Sequence, residues 1–222
     1  MVYNNGRLIT TIFRSFFLLG CLGVLLIHFY SCNSNNDIQE DITKLYQEIG
    51  KKTVSFPDSA IILIKQCLDR TKETGNDFYY IMCLRSKSKV ARNQGNYKQS
   101  IEILDKAFSI ATSINNDTLQ SKILYDKFWT YYSQDDENMY QLSLSENEQF
   151  NNQIQYNKGL INTYSMKLFF SLNAFESGDL TQQDSIFTFY NKGIALCDSI
   201  GSKNATSTFN RNIARYYRII GE

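Results

Sequence analysis

The chain has 222 residues, with 23 Lys and Arg against 22 Asp and Glu, so its formal net charge at pH 7 is +1. This balance excludes a global basic field for nucleic-acid binding and an acidic disordered tail. Proline occurs once, glycine is sparse and aromatic residues make up 14% of the chain, which favours long helices around a well-filled core.

The first 31 residues are typical of an export signal. Arg7 and Arg14 precede an apolar run over residues 16–30, and no charge occurs between Arg14 and Asp37. A positive start followed by such a run is typical of a signal peptide, whereas a transmembrane helix needs about 20 apolar residues. We therefore predict export, with residues 1–31 as a signal peptide or, alternatively, as an uncleaved membrane anchor.

A cysteine ends this run in a context that resembles a bacterial lipobox. Phe29, Tyr30 and Ser31 precede Cys32, and the polar stretch that follows resembles the tether of exported lipoproteins in the Bacteroidetes. The resemblance implies lipidation of Cys32, a polar tether over residues 32–40 and attachment to the periplasmic side of a membrane.

Three further cysteines occur beyond the signal, at Cys67, Cys83 and Cys197. An odd number without a Cys-x-x-Cys spacing is typical of neither a disulfide framework nor a zinc site. Each lies in a helical pattern, so we predict three free cysteines that act as small apolar core residues. A Cys67–Cys83 disulfide in an oxidising periplasm is the alternative.

A helical pattern recurs along the rest of the chain. Cys67, Ala107 and Gly193 each lie eight residues before a turn rich in Gly, Asn or Asp. The steps between them are 40 and 86 residues, and 86 is twice 43, so one copy is expected between Ala107 and Gly193. This degraded copy should lie near Phe150, with its turn at Lys158-Gly159. A fixed period of this size indicates a solenoid of paired helices.

The stretch 92–111 carries a specific pattern of small and large residues. A turn glycine and an aromatic residue are followed by two small residues with a large apolar residue between them. These residues are Gly95, Tyr97, Ser100, Ala107 and Leu104. This pattern resembles the tetratricopeptide (TPR) repeat. The period of 40–43 is longer than the usual 34 of this family. The resemblance implies an all-α, right-handed α-solenoid of antiparallel helix hairpins over residues 41–222.

The sequence lacks the patterns of common catalytic and cofactor sites. The one histidine, His28, lies in the export signal, which removes histidine-based triads and zinc sites from a cleaved chain. The glycines are too scattered for a phosphate-binding loop, and the acidic run 135–137 lacks EF-hand spacing. We therefore predict no enzyme activity, no metal and no cofactor, and a solvated corner at 135–137.

In the TPR family the first helix of each pair lines a concave groove. With the register set by Gly95, seven side chains are predicted to lie there, forming a basic edge beside aromatic faces. They are Arg85, Lys89, Arg92, Lys122, Tyr125, Trp129 and Tyr132. Such a surface suits an extended peptide with acidic groups. The alternative is that Trp129 belongs to the core and the basic residues form an ordinary solvated face.

These features together predict an exported, lipid-anchored scaffold that binds a protein or peptide partner of unknown identity and no nucleic acid. One alternative is the periplasmic sensor portion of a membrane-bound signalling or transcription regulator that continues beyond Glu222. Another is a glycan-binding lipoprotein that uses exposed aromatic residues such as Trp129.

Overall fold

The computed structural model of the protein describes residues 39–221. These residues form nine α-helices and one 3₁₀ helix (Leu180–Gln182), with no β-strand among them. Helix α1 covers residues 39–52 and so begins within the predicted tether. The other α-helices are α2 (Pro57–Glu73), α3 (Asp77–Asn93), α4 (Tyr97–Ser113), α5 (Asp117–Ser133), α6 (Glu137–Gln153), α7 (Asn157–Glu176), α8 (Gln183–Ser199) and α9 (Lys203–Ile220).

The predicted signal and the predicted lipidation site at Cys32 lie outside the described residues. Within residues 39–221, every helix is too short or too polar to cross a bilayer.

A recurring turn sets the length of the repeat. Helices α2 to α6 have 17 residues each, and three residues join each helix to the next. The middle residue of each turn has a positive φ, which glycine, asparagine and aspartate adopt most easily. These middle residues are Gly75, Gly95, Asn115, Asp135 and Gln155, twenty positions apart. Two helices therefore repeat every forty residues, and the 20-residue α7 and the 3₁₀ helix lengthen the later copies.

Consecutive helices pack against each other along the array. Cys67 and Cys83 meet across α2 and α3, each eight residues from Gly75. Ser88 and Ser100 meet across α3 and α4, seven and five residues from Gly95. Contacts at similar distances on the two sides of a turn show that the two helices are antiparallel. The helices α3, α5, α7 and α9 also contact their next odd neighbour, whereas α2, α4, α6 and α8 do not contact one another. We call these two surfaces the odd-helix side and the even-helix side.

The apolar core is shared among neighbours. Each of its three clusters draws buried residues from three consecutive helices; in the first, Ile49 of α1, Ile64 of α2 and Val90 of α3 pack together. A single hairpin therefore leaves much of its apolar surface exposed, and stacking of successive hairpins buries it. The prediction of an all-helical array of stacked hairpins is confirmed for the described residues.

The third repeat, formed by α6 and α7, lies three residues earlier than predicted. Its turn is at Gln155, whereas Lys158 and Gly159 belong to the first turn of α7. The buried residue eight positions before the turn is Asn147, and Phe150 is only half-buried. Because Asn147 is polar, it does not fit the pattern of a small apolar residue eight positions before each turn.

Buried hydrogen bonds compensate for this polar residue. The Asn147 Nδ2 donates to the carbonyl of Ser121 at 3.0 Å, and its Oδ1 accepts from Thr163 Oγ1 at 2.8 Å and from Asn151 Nδ2 at 2.9 Å. Ser121 Oγ donates to Asn151 Oδ1 at 2.6 Å. A Cβ atom at Gly159 would overlap the Asn151 amide, so glycine is required at this contact. Helices α5, α6 and α7 are therefore joined by a satisfied polar network.

Two of the three cysteines are not free. Cys67 and Cys83 form a buried disulfide between α2 and α3, with Cα atoms 6.4 Å apart. Cys197 is a buried free thiol. The prediction of three free cysteines was wrong for this pair, and the alternative pairing of Cys67 with Cys83 is confirmed. The signal in the sequence was the equal distance of the two cysteines from the Gly75 turn.

Candidate functional site

Three of the seven predicted groove residues line one cavity between α3, α5 and α7. The cavity has a volume of about 170 Å³ and receives Arg85 from α3 and Lys122 and Tyr125 from α5. Lys158 of α7 and Tyr156 of the preceding turn complete its rim. We call this the basic cavity.

Positive charge exceeds negative charge around the basic cavity. The Arg85 Nε donates to Asp126 Oδ2 at 2.5 Å, and the two side chains are only 18% and 24% exposed. Neither Lys122 nor Lys158 takes part in an ion pair within residues 39–221. Burial lowers the pKa of Lys122, and repulsion from Arg85 and Lys158 lowers it further against the attraction of Asp126. An anion in the cavity would relieve this repulsion.

The two other predicted residues of α3, Lys89 and Arg92, do not line the basic cavity. Burial lowers the pKa of the Arg92 guanidinium, and the nearby Asp126 carboxylate opposes that shift. Lys89 is exposed and is not among the residues that line the basic cavity. Arg92 therefore shares the Asp126 carboxylate with the cations of the basic cavity, whereas Lys89 is a solvated side chain of the same helix.

The aromatic residues of α5 form a continuous row. Trp129 is half-buried, and its ring makes edge contacts with Tyr125 and Tyr132 at centroid distances of 6.0 and 5.6 Å. It also packs on the buried Phe128 at 5.2 Å. Tyr132 in turn lines a separate cleft of about 700 Å³. The predicted groove residues therefore belong to two separate sites, the basic cavity and the cleft that Tyr132 lines. The aromatic residues of α5, some buried and some partly exposed, lie between these sites.

The acidic run 135–137 has a structural role. Asp135 is the positive-φ residue of its turn, and Asp136 caps α6 because its Oδ1 accepts from the backbone N–H of Met139 at 3.1 Å. In the part of the chain that the structure describes, no group of three or more acidic, His or Cys side chains is arranged to hold a metal ion.

The register error in the third repeat explains which site residues the sequence reasoning missed. The sequence predicts Lys158 in a turn and does not point to Tyr156 or Asn162, although all three line the basic cavity. Counting twenty residues from Asp135 to Gln155 would have placed Lys158 in the first turn of α7, beside Lys122 on α5.

The chain matches no protein-family model, and no curated protein matches it. The TPR resemblance remains a prediction from the residues of the 92–111 stretch.

Proposed function

We propose that the protein is a non-enzymatic scaffold that binds an acidic segment of a protein or peptide partner on its odd-helix side. In this proposal the array is a right-handed, TPR-like solenoid whose concave surface is formed by α3, α5, α7 and α9. The contacts among these odd helices support such a curvature, since the even helices do not contact one another.

The basic cavity is the observation that carries the proposal. Arg85, Lys122 and Lys158 converge on it, and among residues 39–221 only the Arg85 charge of these three is paired, with Asp126. Mutually repelling cations reduce the stability of the folded chain, so their convergence favours a binding role over a structural one. Carboxylates of a partner would form charge-assisted hydrogen bonds with these groups.

The aromatic row extends the surface beyond the charged groups. Tyr125 lines the basic cavity, and Trp129 follows one helical turn later with its ring half-buried. Aromatic side chains supply large contact areas with little loss of conformational entropy and are enriched at interface hot spots. We propose that apolar or aromatic residues beside the partner's acidic groups pack here.

Export and lipid anchoring are part of the same proposal. The buried Cys67–Cys83 disulfide supports an exported location, because disulfides persist in oxidising compartments and are rare in the cytosol. Lipidation of Cys32 is tested by incorporation of labelled palmitate in cells. The Cys32→Ser variant should lose the label and the matched Cys21→Ser variant should retain it; the reverse result would exclude Cys32.

The binding proposal is tested with a fluorescent ten-residue peptide of glutamate and tyrosine, in parallel with its glutamine counterpart. The Lys122→Glu/Lys158→Glu variant should bind the acidic peptide at least about tenfold more weakly than the native chain, because several surface charge pairs are reversed. The matched Lys98→Glu/Lys203→Glu variant changes two exposed lysines outside the basic cavity and should bind normally. Equal losses in both variants would show non-specific attraction and contradict the site.

A further inference from the structure

A second groove lies on the even-helix side, bounded by α2, α3 and the start of α4. Its volume is about 570 Å³, within the range of ordinary ligand sites. Its apolar surface includes Ile61, Leu68 and Val90, and the Ile61 side chain is 45% exposed. We call this the even-side groove.

Two lysines of the even-side groove occupy positions where the next repeat has an ion pair. In that repeat, Lys127 of α5 pairs with Asp105 of α4, with Nζ and Oδ1 2.6 Å apart. Forty residues earlier, the corresponding positions are Lys87 of α3 and Lys65 of α2, both of which line the groove. Lys65 therefore occupies the position that Asp105 holds in the following repeat. Neither Lys65 nor Lys87 takes part in an ion pair among residues 39–221.

The third repeat shows the same preference for an acid. Lys167 of α7 lies forty residues after Lys127, and it pairs with Glu148 of the preceding helix α6. Three successive repeats thus carry lysine at this position, and two of them receive an acid from the helix before. In the first repeat, Lys87 receives no such acid from α2 among the ion pairs of residues 39–221. The absence of this partner points to an anionic group from outside the chain.

The distribution of charge favours an extended partner over a ligand with one anionic head. Lys72 also lines the groove and follows Lys65 by two helical turns, a rise of about 10.5 Å. Asp69 is the one acidic residue among those that line it. Cations spaced over two turns beside an apolar floor match a helix that carries leucine-like residues on one stripe and acids on its flanks.

We propose that the even-side groove docks an acidic amphipathic helix of a protein partner, with acids of that helix paired to Lys65 and Lys87 and its apolar stripe against Ile61 and Leu68. This surface is separate from the basic cavity, so the inference does not depend on the function proposed for the odd-helix side.

The probe is a synthetic 18-residue helix with leucine on one stripe, glutamate on its flanks and alanine elsewhere, labelled for fluorescence anisotropy with the full chain. It should bind at least about tenfold more tightly than the same peptide with glutamine for glutamate. The Lys65→Glu/Lys87→Glu variant should reduce its affinity by a similar factor. Undiminished binding to that variant would overturn the proposal.

Two controls identify the surface that the probe occupies. The Lys122→Glu/Lys158→Glu variant, altered in the basic cavity, should bind the helix normally; loss of binding there and not in Lys65→Glu/Lys87→Glu would place the peptide in the other site and overturn the inference. Normal binding to Lys98→Glu/Lys203→Glu excludes a general charge effect.

Two further measurements separate docking from simple charge attraction. A peptide with lysine for glutamate should bind the Lys65→Glu/Lys87→Glu variant better than the native chain, which a folding defect would not produce. Ile61→Ser, a surface change, should weaken the glutamate peptide several-fold through loss of apolar contact. Displacement of the peptide by dodecanoate at micromolar concentration would show that an acyl chain is the preferred occupant, and would also overturn the proposal.

Discussion

Arg85 of α3 and Asp126 of α5 join two helices across the odd-helix side through a 2.5 Å contact between Nε and Oδ2. The two partners are not equivalent in their surroundings. Asp126 also attracts Arg92 and Lys122, since its carboxylate raises the pKa of both against the effect of burial. Asp126 therefore holds together a cluster of cations, whereas Arg85 is one of several that surround it.

Removal of the acid should cost more stability than removal of the arginine. We expect Asp126→Asn to lower the free energy of unfolding by about 1–3 kcal/mol, because it removes the carboxylate that attracts Arg85, Arg92 and Lys122 and leaves the repulsion between Arg85 and Lys122 uncompensated. Arg85→Gln should cost less than about 1 kcal/mol, since the other cations still compensate Asp126. Urea unfolding measures both. The Asp126→Asn loss should shrink in high salt, and a larger loss from Arg85→Gln would contradict this account.

Lys122 should make the free energy of unfolding depend on pH in the alkaline range. Burial lowers its pKa in the folded chain, so the unfolded chain holds this proton more tightly. The free energy of unfolding therefore rises with pH between the folded-state pKa and that of a solvated lysine. Lys122→Gln should remove this rise and stabilise the protein at neutral pH, by less than about 1 kcal/mol because the side chain is partly solvated.

Urea unfolding of Lys122→Gln at successive alkaline pH values, with the exposed Lys98→Gln as the matched control, tests that pH dependence. Tyr125 acts in the opposite sense, because burial raises its pKa, so the difference between variant and native chain is the quantity to compare. The same substitution should weaken acidic-peptide binding. A variant that is less stable at neutral pH would show that Lys122 is structural.

Gly193 should tolerate no side chain. A Cβ atom at this position of α8 would overlap the ring of Phe209, a fully buried residue of α9. Gly193→Ala should therefore lower the free energy of unfolding by about 1–3 kcal/mol through overpacking. Gly50→Ala is the matched change in α1, where a Cβ meets no atom within 4 Å, and should stabilise by about 0.5–1 kcal/mol. Partial recovery of Gly193→Ala by Phe209→Leu would confirm the contact; additive effects would contradict it.

The disulfide should contribute substantially to stability. Cys67 and Cys83 are 16 residues apart in the sequence, and closing a loop of that size contributes about 3 kcal/mol in the chain-entropy account. Reductant should therefore lower the thermal midpoint of the native chain and have no effect on Cys67→Ala/Cys83→Ala. Cys197→Ala should keep the sensitivity to reductant. An unchanged midpoint on reduction would show that the bond carries little of the stability.

The repeat could be predicted from the sequence because its turns require particular residues. Gly75, Gly95 and Asn115 occupy positions of positive φ, where few residues are tolerated, and so they mark helix ends at a regular interval. The apolar spacing between them then predicts helices that must stack. The same reasoning failed at the third repeat, where Gln155 has the positive φ and Asn147 occupies the buried position, because neither residue type is typical of such a position.

The amino-acid sequence by itself determined the helices and their pairing, since both follow from local spacing and turn chemistry. The tertiary structure alone decided which charges meet. Lys158 joins Arg85 and Lys122 around one cavity, Asp126 compensates part of their charge, and Cys67 bonds to Cys83. Such contacts depend on distances between side chains on different helices, and a shift of three residues in one helix is enough to change them.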